Sequence, residues 1–430
     1  MNSSATNALP LHAHHRRGIA ANREQFALQT VQVFFVGLVA GMERAVLPTL
    51  AHEFGVSSGA FLFLASFVVS FGLVKGALNF AAGGLADHLG RKPVLVMGWL
   101  AGIPIPLLIY FAPNWWWIVA ANVFLGVNQG FTWSMTVTSQ IDLAANNQRG
   151  LAVGINEATG YVAVGLAGFG AAWLAHHIGA RPALLMFGFV TVAAALTCLL
   201  WTRDTLAWMK AEHVEEHAAA ARHPEPEPEP EPALGEIFAR ISFHDPAGRA
   251  ICQGGAVNKI ADALVWVMFP VFFKAHGAGL IEIGWLTGAY AMVWGFSQLW
   301  AGHLADRIGR KIPVVAGFFL LAAGIAATAL GASPLIWLPA AVIMGIGMAL
   351  LYPNLIAAMS DRTPALWRGK ALGTYRYWRD TGYAIGALLL GAVAQAAGAP
   401  LPAMWLTAAL VAGSGFWIAI GVPADKRHRS

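Results

Sequence analysis

Charged residues are scarce in this chain. Lys, Arg, Asp and Glu make up only 11% of its 430 residues, whereas 57% are hydrophobic. In soluble domains about a quarter of the residues are charged. The composition therefore excludes an ordinary soluble protein and indicates a chain that crosses a membrane many times.

Cysteine is also scarce, with only two residues in the chain. Cys198 and Cys252 both fall in apolar stretches, so we expect neither a disulfide framework nor a metal site.

Patterns for nucleotides, nucleic acids and enzymatic chemistry are also lacking. There is no G-x-x-x-x-G-K-[ST] loop, so we expect no nucleotide cofactor. The net charge of +5 comes from scattered loop residues, without the basic stripe of a nucleic-acid-binding protein. His213–His217 fits the H-x-x-E-H pattern of some zinc proteases, but no third ligand or folded domain accompanies it. We expect a solvated helix in this segment. We also expect that the protein binds no metal and no cofactor and that it is not an enzyme.

Long apolar runs dominate the sequence instead. A helix needs roughly 20 apolar residues to cross about 30 Å of hydrocarbon. The first run holds Glu43 and Arg44 and is too long for a signal peptide, so we expect it to be retained. The fifth and eleventh are long enough to be tilted or bent. The twelve predicted spans are residues 26–50, 60–82, 93–112, 115–139, 150–176, 182–202, 250–274, 281–303, 312–331, 334–358, 369–397 and 401–422.

The basic residues indicate how these spans are oriented. Of the 27 lysines and arginines, twenty fall on the same side of the membrane as the N-terminus and five lie within spans. Only Arg181 and Lys274 fall on the other side. Because basic residues concentrate in cytoplasmic loops, both termini are expected in the cytoplasm, with the chain in a bacterial-type inner membrane.

One polar segment divides the spans into two sets of six. It covers residues 203–249 and contains the repeat Pro224–Pro232, PEPEPEPEP, which favours an extended, self-repelling spacer. We expect the chain to divide into a cytoplasmic tail, a six-helix bundle, a cytoplasmic linker, a second six-helix bundle and a tail, at residues 1–25, 26–202, 203–249, 250–422 and 423–430.

The two sets of six are related by an internal repeat. Gly83–Gly98, GGLADHLGRKPVLVMG, recurs 219 positions later as Gly302–Gly317, GHLADRIGRKIPVVAG. At the same spacing Asp142 and Arg149 match Asp361 and Arg368, and Glu43 matches Asp262. Six spans have therefore been duplicated in parallel orientation. The repeated residues are Gly83, Asp87, Gly90, Arg91, Lys92, Asp142 and Arg149, then Gly302, Asp306, Gly309, Arg310, Lys311, Asp361 and Arg368.

Twelve spans in two halves, with G-x-L-A-D-[HR]-x-G-R-K after the second and the eighth, resemble the major facilitator superfamily over residues 26–422. The resemblance implies an all-α membrane protein with two pseudo-symmetric six-helix bundles, working as a secondary transporter by alternating access. It also implies that the motif Asp and Arg help to close the cytoplasmic face in the outward-open state. Drug/proton antiporters of the family carry an Arg in span four and a Gly-Pro pair in span five. Here Gly126 replaces the Arg, and GINEATGYVAVG lacks Gly-Pro.

Nine charged residues lie in or near the spans, where each costs about 2.5–3.5 kcal/mol at the bilayer centre. Most should therefore face an aqueous pathway or one another. Spacing predicts pairs of Lys259 with Asp262 and of Arg376 with Asp380. A carboxyl that loses water when the pathway closes can carry a proton, which favours Glu43 as well as Asp262. The nine are Glu43, Arg44, Lys75, Glu157, Lys259, Asp262, Arg376, Arg379 and Asp380.

The excess of bases over acids among these nine favours a small organic or inorganic anion as substrate. Asn128 and Gln129 are candidates to hydrogen-bond the solute, and Trp133 to supply a flat wall, as are Trp266, Tyr161, Tyr375 and Trp378. The prediction is a monomeric permease in the lipid bilayer that is coupled to protons. A drug/proton antiporter is the alternative, and a non-transporting sensor is weaker because no signalling domain is evident.

Overall fold

The computed structural model describes residues 16–49, 51–57, 59–211, 232–364 and 367–423. Within these ranges all regular structure is helical. The Pro-Glu repeat up to residue 231 and the H-x-x-E-H segment lie outside the described residues. The twelve long helical stretches are α1 Arg23–Thr49, α2 Phe61–Leu89, α3 Arg91–Tyr110, α4 Trp115–Leu143, α5 Arg149–Ile178, α6 Ala180–Trp201, α7 Pro246–Ala275, α8 Leu280–Ile308, α9 Lys311–Leu330, α10 Pro334–Asp361, α11 Arg368–Ala397 and α12 Leu401–Gly421.

Each predicted span corresponds to one of these helices. Nine of the twelve are long and apolar enough to cross a membrane by length and composition. The other three, α4, α8 and α11, are as long. The largest difference from the expected bounds is in α2 and α8, which continue through the repeated motif to Leu89 and Ile308. The turn between helices is then almost a single glycine, Gly90 or Gly309, at φ 101° and 88°.

Some of the long helices are interrupted. The fifth and eleventh, which are expected to be tilted or bent, each run without interruption. In contrast, α1 breaks between Gly41 and Val46, just before Pro48. In α7 a π-helical turn, Leu264–Met268, precedes Pro270. A proline removes a backbone donor and its ring crowds the preceding turn, which explains both irregularities.

The internal repeat extends to the contacts between neighbouring helices. A Cβ on Gly98 of α3 would meet Phe131 and Thr132 of α4 at 3.0 and 2.7 Å. A Cβ on Gly317 of α9, 219 positions on, would meet Leu350 and Leu351 of α10 at 3.0 Å. Each pair of contact positions is offset by the same 219 residues. The second six helices therefore repeat the packing of the first six.

Small residues also join the two halves. A Cβ on Gly72 of α2 would lie 2.6 Å from the backbone nitrogen of Ala384 on α11. On the other side of the molecule, a Cβ on Gly165 of α5 would lie 2.5 Å from the carbonyl oxygen of Gly288 on α8. Backbones approach this closely only where side chains are absent. The helix pairs α2–α11 and α5–α8 thus form the seam between the halves.

Two faces of the molecule follow from the order of the helices. We call the face where α1 begins and α12 ends the terminal face, and the other the opposite face. The described part of the linker lies at the terminal face, with a short helix, Leu234–Ala239. Its Phe238 ring stacks on Trp378 of α11 and lies edge-on to Phe80 of α2. The linker therefore touches the seam as well as connecting the halves.

Candidate functional site

A cavity of about 130 Å³ lies between the two halves. Its wall extends from Lys75 and Trp133 in the middle of their helices to Ile141 and Val153, near the terminal ends of α4 and α5. The cavity therefore leads toward the terminal face. Its lining residues come from α2, α4, α5, α10 and α11, and are Lys75, Asn79, Trp133, Ser134, Val137, Ile141, Val153, Glu157, Tyr352, Ile356, Leu372, Arg376 and Arg379.

Bases outnumber acids on this wall. Lys75, Arg376 and Arg379 are basic, and Glu157 is the one carboxyl among the described lining residues. Arg379 is paired, because its Nε and Nη2 donate to the two oxygens of Asp380 at 2.9 and 2.7 Å. The predicted pair of Arg376 with Asp380 is therefore wrong. Asp380 instead takes the neighbouring guanidinium.

The remaining polar groups of the Asp380 cluster come from the first half of the chain. Asn79 of α2 donates from its side-chain nitrogen to Asp380, and Ser134 of α4 donates to the Asn79 oxygen at 2.8 Å. Arg379 also donates to the Tyr352 hydroxyl at 3.0 Å. One hydrogen-bonded cluster thus links α2 and α4 with α10 and α11 across the cavity.

Lys75 and Arg376 are differently placed. Among the described residues, neither has a carboxylate within ion-pair distance. The Lys75 ammonium lies 5.4 Å from the ring centres of both Phe71 and Trp133. Aromatic faces attract a cation by about 0.5–2 kcal/mol, less than a carboxylate partner offers in a desolvated site. The cavity wall therefore carries two bases without a carboxylate partner among the described residues.

Glu157 is held by an indole rather than by a base. Trp133 donates from Nε1 to Glu157 Oε1 at 2.9 Å. The second oxygen, Oε2, is buried and has no hydrogen-bond partner among the described residues. A buried carboxylate without a counter-ion is costly, so this group favours its neutral form.

A second ionic cluster lies further from the terminal face. Arg44 Nη1 donates to Asp262 Oδ1 at 2.8 Å, and Lys259 Nζ to Asp262 Oδ2 at 3.3 Å. The predicted pair of Lys259 with Asp262 is confirmed as a contact. Tyr383 and Tyr290 donate their hydroxyls to the same carboxylate. Asp262 is fully buried, and its carboxylate pairs with basic side chains from both halves of the molecule.

Aromatic rings surround this cluster on both sides. The Lys259 ammonium lies 4.6 Å from the ring centre of Trp294 and 5.1 Å from those of Tyr352 and Tyr383. It also donates to the Tyr161 hydroxyl at 3.1 Å, and Tyr161 stacks on Trp294 at 3.5 Å. These contacts join α5 of the first half to α7, α8 and α10 of the second.

Toward the opposite face, aromatic residues of the two halves pack against each other. Trp266 of α7 lies edge-on to Phe67 and Phe71 of α2, at 5.6 and 5.0 Å between ring centres. The Arg44 guanidinium lies over the Trp266 ring, 4.9 Å from its centre. Lys274 donates to the carbonyl oxygen of Thr49. The structure is thus open toward the terminal face and closed toward the opposite face.

Glu43 and Asp262 match in the internal repeat, but their side chains lie in different surroundings. It is fully buried and accepts a hydrogen bond from Asn122 of α4 at 2.9 Å, outside the cavity lining. Arg44, the next residue, points to the other half instead. Both residues lie in the turn between Gly41 and Val46, so helical periodicity does not set their directions. The expectation that Glu43 faces the pathway is therefore not met in this conformation.

Several other candidates also lie away from the cavity. Asn128 donates to the carbonyl oxygen of Gly98, and Gln129 to that of Val36, so both tie α4 to neighbouring helices. Tyr375 packs on Gly255, and Trp378 donates to Ser242 of the linker. Trp133 and Tyr161 do lie at the centre. The periodicity of α4 alone did not separate its cavity face from its packing faces, because most of that helix is buried.

Several contributors were not predicted from the sequence, among them Asn122, Ser134, Tyr290, Trp294, Tyr352 and Tyr383. Tyr383 follows Arg379 by one helical turn, which puts both on one face of α11 and is a signal that spacing could have given. Asn122, Ser134 and Tyr352 have no charged residue one turn away. Only the packing of helices distant in sequence brings them to the site.

The repeated motif forms the same ion pairs in both halves. Arg91 pairs with Asp87 at 2.6 Å and with Asp142 at 3.2 Å. Arg310 pairs with Asp306 at 2.7 Å and with Asp361 at 3.4 Å. Each of these four ion pairs joins residues of the same half.

Residues 30–246 and 251–430 match the family described as Major Facilitator Superfamily. The chain belongs to the Major Facilitator Superfamily. Membership, together with the all-helical fold, makes this an integral membrane transporter and not an enzyme. That assignment accounts for the two halves, the repeated motif and the central cavity.

Characterised relatives within the superfamily differ in what their names say they move. The efflux pump terJ of Aspergillus terreus is 28% identical over 177 residues, 39% of this chain and 34% of that protein. The multi-drug resistance efflux pump PmrA of Streptococcus pneumoniae is 24% identical over 385 residues, 84% of this chain and 87% of that protein. A gallate transporter of Pseudomonas putida is 32% identical over 177 residues, 40% of this chain and 38% of that protein. Thus the chain spans about a third of the length of terJ and most of PmrA.

Proposed function

We propose that this superfamily member moves a small organic anion across the bacterial inner membrane together with protons, by alternating access. The two bundles, residues 26–202 and 250–422, rock about the central cavity while residues 203–249 connect them. With both termini in the cytoplasm, the terminal face is cytoplasmic. The described conformation is then the inward-facing one, and the protein works as a monomer.

The unpaired bases of the cavity carry this proposal. Three of the four charged groups on the wall are basic, and Lys75 and Arg376 have no carboxylate partner among the described residues. Buried charges are stabilised when a partner of opposite sign supplies the missing ion pair. A carboxylate on the substrate would do this for both bases at once. A cationic or neutral substrate would leave them uncompensated.

The aromatic residues of the cavity wall favour an anion that carries a ring. Trp133 and Tyr352 line the cavity beside the bases, and flat apolar rings suit a ring-bearing solute. One relative is named a gallate transporter, and gallate is an aromatic carboxylate. Aromatic acids are therefore the first substrates to test.

The test is uptake by the full-length protein in reconstituted vesicles with an imposed pH gradient. Gallate and benzoate are the first solutes, and a neutral aromatic amide is the control. We expect acid uptake that depends on the gradient, and at least a tenfold loss in Arg376→Gln, which removes one counter-charge. The matched control Arg362→Gln changes an exposed arginine of the terminal face outside that cavity. Equal uptake of the amide, or equal loss in both variants, would contradict the proposal.

A second candidate is an exporter of amphipathic compounds in exchange for protons. It is favoured by PmrA, which matches most of this chain and is named a multi-drug efflux pump. The lack of the span-four Arg and of the span-five Gly-Pro pair counts against it. Export of amphipathic dyes that survives Arg376→Gln would support the exporter over the anion carrier.

A further inference from the structure

We propose that Glu157 is the carboxyl that binds the coupled proton, and that it links proton binding to anion binding by charge neutralisation within the shared cavity. This deepens the proposed function and rests on it. Neither Asp262 nor Glu43, the two carboxyls that the internal repeat favours, has the placement that this role requires.

Asp262 is unsuited because it is already neutralised. Its carboxylate takes Arg44 at 2.8 Å and Lys259 at 3.3 Å, and two tyrosine hydroxyls donate to it as well. A proton would have to displace these partners. Asp380 is held in the same way by Arg379, with Asn79 as a further donor. Both aspartates therefore act as fixed counter-ions in this conformation.

Glu43 is unsuited because the substrate does not reach it. Its side chain is fully buried against Asn122, and it is not among the residues that line the cavity. A proton bound there would not share a space with the anion. Glu157 does share it, since it lines the cavity together with Lys75 and Arg376.

The surroundings of Glu157 leave one oxygen available. Trp133 of α4 binds Oε1, while Oε2 is buried without a partner. The groups that face this region are Lys75 and Asn79 of α2, Tyr161 on its own helix, Lys259 of α7, Tyr352 of α10, and Arg376 with Arg379 of α11. None of the bases lies within ion-pair distance of Glu157. The carboxyl is therefore free to take and release a proton toward the open terminal face.

Trp133 connects this carboxyl to the anion site. Its indole nitrogen holds Glu157, and its ring lies 5.4 Å from the Lys75 ammonium. A substrate carboxylate at Lys75 and Arg376 is repelled by an ionised Glu157 and not by a protonated one. Proton and anion therefore bind cooperatively, and by linkage each raises the affinity for the other by the same factor. This is the arrangement that symport needs.

The experiment measures this linkage in the purified full-length protein in detergent, with benzoate as the probe. Calorimetric titration in buffers of different ionisation enthalpy gives the number of protons taken up with the anion. The pH series stays above the range in which benzoate itself titrates. In the wild type we expect proton uptake, and affinity that weakens by roughly 5- to 150-fold as Glu157 loses its proton.

Two Glu-to-Gln variants separate the roles of the carboxyls. Glu157→Gln keeps a side-chain oxygen for Trp133 and should bind benzoate with no proton uptake and no dependence on pH. Glu43→Gln, a matched change of a buried carboxyl outside the cavity, should keep both. Proton uptake that persists in Glu157→Gln, or that is lost in Glu43→Gln, would overturn the assignment of Glu157 while leaving anion binding intact.

Failure of the wild type to bind benzoate would instead count against the proposed substrate class. Infrared difference spectra of pH steps test Glu157 even in that case, because a protonated carboxyl has its own C=O band. The band should be present in the wild type and in Glu43→Gln, with a loss of intensity in Glu157→Gln. An unchanged band in Glu157→Gln would overturn the proposal.

Discussion

At the scale of single residues, the centre of this transporter depends on carboxylates that serve partners from both halves. Asp262 of α7 pairs with Arg44 of α1 and with Lys259 of its own helix, and all three are nearly inaccessible to water. Removing one member of a buried pair leaves an uncompensated charge, which costs far more than the pair contributes. The pair also joins α1 to α7, so it helps to keep the opposite face closed.

We expect Asp262→Asn to lower the free energy of unfolding by about 3–5 kcal/mol, because Arg44 and Lys259 lose their shared counter-ion. Thermal unfolding in detergent, followed by size-exclusion chromatography, measures the effect. Asp361→Asn is the matched control, since its side chain is 58% exposed beside Arg310. Loss of such an exposed pair should cost about 0–1 kcal/mol. Similar shifts in the two variants would refute the role given to Asp262.

At the scale of helices, the repeat conserves contact points while exchanging the residues that make them. In the first half Gly37 and Gly41 of α1 meet Ala163 and Ala167 of α5. At the equivalent positions of the second half, the glycines lie on α11 instead of α7. Gly382 there would meet Ala256 at 2.3 Å if it carried a Cβ. Close approach requires one small residue at each contact, and either helix can supply it.

Gly382→Ala should therefore force α11 away from α7 and destabilise the protein by about 1–3 kcal/mol, the usual cost of overpacking. Gly373→Ala on the same helix is the control, because a Cβ there would meet nothing closer than 3.9 Å. In that position alanine should be neutral or slightly stabilising, since it favours helix over glycine. Thermal unfolding of both variants checks the contrast, and a stable Gly382→Ala protein would contradict it.

At the scale of the whole molecule, the conformation is set by where the two halves touch. Toward the opposite face they are joined by the Arg44–Asp262 pair and by Trp266 packed on Phe67 and Phe71. Toward the terminal face the cavity separates them, and the motif arginines pair within their own halves. Alternating access requires the first set of contacts to break and a second set to form.

A cysteine at Leu372, on the cavity wall, should react with a membrane-impermeant thiol reagent from the terminal face alone. Inside-out vesicles should therefore be labelled and right-side-out vesicles should not, if the terminal face is cytoplasmic. The background protein lacks Cys198 and Cys252, which are both buried. Phe67→Cys, in the closed layer, is the control and should be protected on both sides. Labelling of Leu372→Cys from the other side only would reverse the proposed orientation.

Some contacts at the candidate site follow from the sequence, and others do not. Spacing within one helix paired Lys259 with Asp262 correctly, because residues three apart share a face. The same reasoning paired Arg376 with Asp380, whereas Asp380 takes the adjacent Arg379 and Asn79 from α2. A long flexible side chain can turn to a partner that helical periodicity does not anticipate. Glu43 and Asp262 match in the repeat, yet Asn122 binds one and Arg44 the other.

The sequence by itself determined the membrane class, the twelve helices and their duplication, because hydropathy, length and a 219-residue repeat are properties of the chain taken in order. It also located the charged residues that are costly in a bilayer unless they are paired or solvated. Only the tertiary structure decided which of them face the cavity. Helices far apart in sequence supply each other's partners, so Glu157 on α5 meets Trp133 on α4, and Arg44 on α1 meets Asp262 on α7. Those encounters depend on how each helix is rotated against its neighbours, which no periodicity along a single helix contains.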